Sequence, residues 1–187
     1  MLSRKLLSSS QTSSGGGGGG GGGTGAWYGN TSTGTDALSS RVPGPVNVYY
    51  RRSILAWVYL KSELSGFGLS SNDVITKIRW YVHELPAQDR MPLPNYAIRM
   101  MHVSSTSNVI NPTNLGSVSS SNVTDVKAQH NYNAYTPGTG HQEITFDNSF
   151  TWNGNDAIGF ILAWGQCPTN YSSSGRTRQL VSGRMWY

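Results

Sequence analysis

Val74-Ile75-Thr76-Lys77-Ile78-Arg79-Trp80-Tyr81-Val82 decides the fold class of this 187-residue chain. Its alternation puts Ile78, Trp80 and Val82 on one face and Lys77, Arg79 and Tyr81 on the other, the period of a strand with one side buried. Tyr96-Ala97-Ile98-Arg99-Met100 repeats the pattern. So does Gln142-Glu143-Ile144-Thr145-Phe146, with Ile144 and Phe146 inward. From Ala157 to Trp164, the residues Ile158, Phe160, Leu162 and Trp164 share one face, opposite the small residues Ala157, Gly159 and Ala163. Ile161 on that small-residue face predicts a strand covered on both sides. Tyr49 to Tyr59 reads as one or two strands rich in β-branched and aromatic residues.

Strong breakers separate these runs: Pro43-Gly44-Pro45, Pro92-Leu93-Pro94, Asn111-Pro112, Pro137-Gly138 and Asn153-Gly154. Lys61 to Gly68 holds the one plausible helix, one or two turns ended by Gly66. Seven to nine short strands without a long helix predict an all-β, antiparallel, jelly-roll-like β-sandwich with an aromatic-rich core. It occupies residues 49–187, behind an arm at 1–30 and a linker at 31–48.

Composition narrows the function classes. The chain is 12% charged and 36% apolar, and 14 Lys+Arg against 9 Asp+Glu give a net charge of +5. No apolar run approaches the roughly 18–20 residues of a membrane-spanning helix. A lone cysteine, Cys167, cannot close an intramolecular disulfide, so a disulfide-stapled miniprotein is excluded. Leu6-Leu7 is followed at once by Ser8-Ser9-Ser10, far short of the apolar core of a secretory signal. The expectation is a protein that stays in the compartment where it is made.

The arm is unlike the rest. Nine consecutive glycines (Gly15, Gly16, Gly17, Gly18, Gly19, Gly20, Gly21, Gly22 and Gly23) precede the aromatic pair Trp27-Tyr28. Ordering nine residues costs on the order of 9–18 kcal/mol, and glycine has no side chain to bury in return. Two readings follow. One is a flexible linker. The other is an anchoring arm whose bare main chain is hydrogen-bonded by neighbouring subunits, with Gly15 to Gly23, Trp27 and Tyr28 as the anchoring residues.

Arg52-Ser53-Ile54-Leu55, Tyr59-Leu60-Lys61-Ser62-Glu63-Leu64, Ile75-Thr76-Lys77-Ile78, Asn95-Tyr96-Ala97-Ile98-Arg99-Met100 and Phe146 to Asp156 occur in this order. Together, over about Tyr49 to Arg178, they resemble the gingipain-adhesin or cleaved-adhesin-like jelly-roll modules of type IX-secreted bacterial proteins. Ser149 stands where that family usually has a proline, and Asn153 where aspartate is common. The resemblance implies a jelly roll with an adhesive or display role. With neither an export signal nor a sorting domain read around it, and with a glycine arm in front, the module is expected in a bacteriophage structural protein. That protein is made in the host cytoplasm and located in the virion. A head decoration (cement) protein or short head fibre is the first expectation, and a tail or baseplate component the second. Its partners are other virion proteins and further copies of itself, with a trimer expected because only glycine fits a crowded axis. The alternative is a carbohydrate-binding adhesin module that contacts host glycans through the loop residues Tyr132, Tyr135 and Tyr171.

Residues with chemical capacity also have plainer roles. His141 and Glu143 share a strand face, with His130 as a third possible metal ligand, but such a pair is ordinarily a solvent face. Asp147, Asn153, Asn155 and Asp156 could ring a calcium ion or simply build a Trp-Asn-Gly-Asn hairpin, with Asn-Gly supplying positive φ; the hairpin is preferred. Glu84 and Asp89 share a loop without a sign of raised pKa. No Gly-x-Ser-x-Gly elbow or phosphate-binding glycine loop is present, and Cys167 reads as a small buried or loop residue. No enzyme, cofactor, metal or membrane association is expected. Arg41, Arg51, Arg52, Arg176, Arg178 and Arg184 are scattered and suit protein contacts better than nucleic acid.

Overall fold

The computed structural model describes residues 6–10, 26–28, 45, 48, 51–82, 85, 88–104, 123–167 and 184–186. They form an all-β sandwich of two antiparallel sheets. The four-stranded sheet contains β1 (Leu6–Ser10), β2 (Ala26–Tyr28), β4 (Val74–Val82) and β7 (Gly140–Thr151), in the order β2-β1-β4-β7. The five-stranded sheet contains β3 (Ser53–Tyr59), β5 (Leu93–Val103), β6 (Val123–Tyr132), β8 (Ala157–Trp164) and β9 (Arg184–Trp186), in the order β6-β5-β8-β3-β9.

The alternating runs assemble as their period predicts. Ile78, Trp80 and Val82 from one sheet meet Leu55, Trp57, Tyr59, Ile98, Met100, Ile158, Phe160, Leu162 and Trp164 from the other in a single buried core. Shape matters here as well as area. Trp57 stacks on Phe160 with centroids 5.1 Å apart, and Tyr96 stacks on Tyr132 at 4.6 Å. Ala56, Val58, Met101 and Ala157 form a second buried cluster, with Ile161 packed against it, so β8 is covered on both sides.

β7 bends between the sheets. Its first half pairs with β4 from Gly140–Val82 to Thr145–Lys77, and pairing resumes only at Phe150–Ile75. In the gap, Asp147 accepts from the Ala128 N–H and from Lys127 on β6, at 2.9 and 2.6 Å. Asn148 donates to the Asp125 carbonyl. The irregularity is thus anchored across the corner of the sandwich, as bulges at sheet corners commonly are.

Several local features depart from the sequence reading. The helix α1 (Lys61–Gly66) forms, and Glu63 accepts from the Leu60 N–H at its start. It ends at Gly66, as expected, and Gly68 beyond it takes the left-handed conformation, at φ +93. Leu69 N–H reaches the Leu64 carbonyl and Gly68 N–H the Ser65 carbonyl, the paired bonds of a Schellman end, with Leu64 and Leu69 both buried. Pro94 does not break a strand but lies within β5, where its carbonyl accepts from Gly165. The start of the sandwich also reaches further back than residue 49. Val48 is fully buried and its carbonyl accepts from Arg90, while the Pro45 carbonyl accepts from the Tyr96 hydroxyl. Leu6–Ser10 and Ala26–Tyr28, within the expected arm, are strands of the four-stranded sheet. The glycines between them, and most of the expected linker, lie outside the described residues.

The hairpin between β7 and β8 is held against the segment after α1. Asn72 N–H donates to the Trp152 carbonyl and Trp152 N–H to the Asp73 carbonyl. Gly154 has φ +73, and a Cβ there would sit 2.4 Å from the Ser71 Cβ. Gly138 has φ +80 but open space around it. Gly154→Ala should therefore lose about 2–4 kcal/mol, and Gly138→Ala only about 1 kcal/mol, read from urea midpoints at constant slope.

Candidate functional site

A recess lies at one end of the sandwich, where three stretches distant in sequence converge. β5 brings His102, β6 brings Thr124, the end of β7 brings Ser149, Phe150 and Thr151, and the β7–β8 turn brings Asn153 and Asp156. They line a cleft of about 490 Å³.

Asn153 organises it. Its side-chain oxygen accepts from the N–H groups of Asn155 and Asp156, both at 2.9 Å, and its amide donates to the Asp156 carboxylate at 2.7 Å. This is an Asx turn, so the expected hairpin forms, with positive φ at Gly154 and not at Asn153. The Trp152 indole donates to the Asp156 carbonyl, closing the turn from the core side.

His102 ties the turn to β5. Its Nε2 accepts from the Asn153 N–H at 3.2 Å, and its ring lies 4.7 Å from Phe150. An accepting Nε2 belongs to the neutral ring with its proton on Nδ1. Partial burial lowers the His102 pKa, against an opposing pull from Asp156 and a hydrogen bond with the Thr151 main chain. The cleft presents the Thr124, Ser149 and Thr151 side chains and the His102 and Phe150 rings beside the Asn153 amide and the Asp156 carboxylate, which are bonded to each other.

The residues singled out in the sequence are dispersed. Tyr132 is not a loop residue: it ends β6, is 8% exposed, and its hydroxyl donates to Gln142, which corrects its expected role as a surface contact. Burial drives its pKa far above the usual phenol range. Tyr135 is exposed at 36%, and Tyr171 lies outside the described residues, as do Gly15 to Gly23. Trp27 and Tyr28 belong to β2, in register with Ser8 and Leu7. His141 and Glu143 lie on the outer face of β7, where Glu143 pairs with Lys77 at 2.7 Å, whereas His130 packs on Tyr96 in the other sheet. Asp147 is held by Lys127 and Ala128 and does not join the Asn153 turn; those bonds lower its pKa. Among the described residues, no three His, Cys, Asp or Glu side chains come together as a metal site.

The same dispersal applies to the cations and Cys167. Arg51 forks onto the Cys167 carbonyl through Nε and Nη2, at 3.2 and 3.0 Å, and Arg52 donates to Gln166. Cys167 itself is buried, which pushes its thiol pKa up. Asp89 lies exposed in a short 3-10 turn, Gln88–Arg90, while Glu84 lies outside the described residues. Gln142 went unnoticed in the sequence. It is fully buried, accepts from Tyr132 and donates to the Ala134 and Gly138 carbonyls at 2.8 and 2.6 Å, fixing the β6–β7 turn.

No protein-family model matches the chain, and no curated protein or solved structure does either. No helix among the described residues is long and apolar enough to cross a membrane.

The His102 geometry has a pH signature. A histidine whose folded pKa is lowered binds its proton less readily in the folded state than in the unfolded one. Its stabilisation is complete above the ordinary value of 6.5 and is lost as pH falls through the lowered one. His141 acts in the same direction, through burial and the nearby Arg79 charge. Thermal midpoints should drop between pH 7 and pH 5, and His102→Gln should flatten part of that slope. An unchanged slope in the variant would show that the Asn153–His102 bond does not govern it.

Proposed function

We propose that this chain is a non-enzymatic structural protein of a virus particle, a head decoration or short fibre subunit that displays the β-sandwich and is fixed by its amino-terminal strands. One observation supports this most directly. The residues flanking the glycine run form strands of the sandwich: Leu6–Ser10 pairs with the main chain of β4, and Ala26–Tyr28 pairs with Leu6–Ser10. Main-chain pairing of this kind needs no particular side chain, so a neighbouring subunit can make it equally well. The resemblance to display and adhesion modules is consistent with a body whose role is presentation.

A second reading is favoured by the cleft at Asn153 and Asp156, whose hydroxyl, amide and carboxylate lining suits a sugar better than the dispersed tyrosines do. On that reading the displayed module also binds host glycans.

Virions raised from a genome encoding the full chain should contain it, as read by mass spectrometry. A version lacking residues 1–28 should fold, by circular dichroism, yet be depleted at least tenfold from the particles. Equal incorporation of both versions, or absence of the full chain from virions, overturns the structural reading. A glycan array probed with the full chain and with Asp156→Ala tests the second: binding weakened by the substitution supports it, and no signal from the full chain removes it.

A further inference from the structure

We infer that the β1–β2 strand pair is an exchangeable arm: in the assembled state, β1 of one copy occupies the β4 edge of a second copy of this same chain. This rests on the structural-protein reading above and specifies the partner that the arm grips.

β4 pairs with β7 along one edge and offers its other edge to β1, in a register that runs from Leu6–Arg79 to Ser10–Val74. The register shifts between Ser8 and Ser9. β1 is Leu-Leu-Ser-Ser-Ser, a run without the alternation of a strand, and it is placed by main-chain pairing along β4. β2 pairs only with β1 among the described strands, so the two can transfer as a unit.

The tether permits this. Sixteen residues, 29 to 44, separate Tyr28 from Pro45, which the Tyr96 hydroxyl fastens to the body. Fully extended, that length spans at most roughly 53–58 Å. A tether of sixteen residues keeps β1 near its own β4, at an effective concentration on the order of millimolar. Closed and exchanged forms make the same strand contacts, so the competition between them is set by concentration. At micromolar concentration each arm closes on its own chain. On a particle, where copies are held at comparable or higher local concentration, exchange competes and links subunits without requiring a new interface.

Ser8 and Lys77 face each other across the β1–β4 pair and provide the test. Cys167 is buried and leaves engineered thiols as the accessible ones. Full-length Ser8→Cys and Lys77→Cys chains are mixed in equal amounts, unfolded in urea, refolded at about 10 µM and about 1 mM, and oxidised. Heterodimers, identified by mass, should rise at least tenfold in yield at the higher concentration. A control mixture of Ser8→Cys with Lys127→Cys, which lies on β6, should show no such rise. The double variant Ser8→Cys/Lys77→Cys should close within one chain at 10 µM. Heterodimer yields equal to the control at 1 mM overturn exchange, even if the full chain is found in virions. Failure of the double variant to close overturns the β1–β4 attachment itself. Heterodimers in a protein that never enters virions would uphold exchange and refute the virion reading.

Discussion

Main-chain pairing along β4 is the constraint on which the rest of the molecule depends. Its inner face, Ile75, Ile78, Trp80 and Val82, is fully committed to the core, which fixes its orientation in the sandwich. One edge is taken by β7, whose bend carries the chain across the corner to β6. The other edge holds β1 and, through it, the residues on either side of the glycine run. Because a strand cannot slip by one residue without exposing that face, the place where the arm attaches is set by the core itself.

The two ends of the sandwich are closed by different means. At one, the buried Gln142 amide gathers Tyr132, Ala134 and Gly138, so a polar group within an apolar core has its hydrogen-bonding groups satisfied and pins the β6–β7 turn. At the other, the Asn153 turn is tied to Ser71 and Asn72 on one side and to His102 on the other. Both ends are therefore closed by hydrogen bonds between separate segments of the chain.

Much of this was legible in the sequence because strand burial has a period of two. Ile78, Trp80 and Val82, and Ile158, Phe160, Leu162 and Trp164, declare their shared faces without any knowledge of partners. The short helix was equally visible, and it ends at Gly66 as read, with the positive φ that turns the chain away falling at Gly68. β1 was hidden: Leu-Leu-Ser-Ser-Ser has no alternation, and what makes it a strand is the edge of β4, sixty-odd residues further along. Tyr132 was misread because Asn131 and Asn133 suggest a loop, whereas stacking on Tyr96 draws the ring inward. The cleft was invisible for a related reason. Its lining comes from residues 102, 124 and 149–156, and only the fold places these together.

Hydrogen–deuterium exchange of the full chain, followed by mass spectrometry on peptides covering 6–10 and 74–82, tests the attachment of the arm most directly. The account requires slow exchange in both segments, in dilute solution and in the assembled state alike, because β4 holds a β1 strand whichever copy provides it. Exchange of 6–10 at the rate of an unstructured peptide in both states, with 74–82 still protected by β7 along one edge alone, would contradict it.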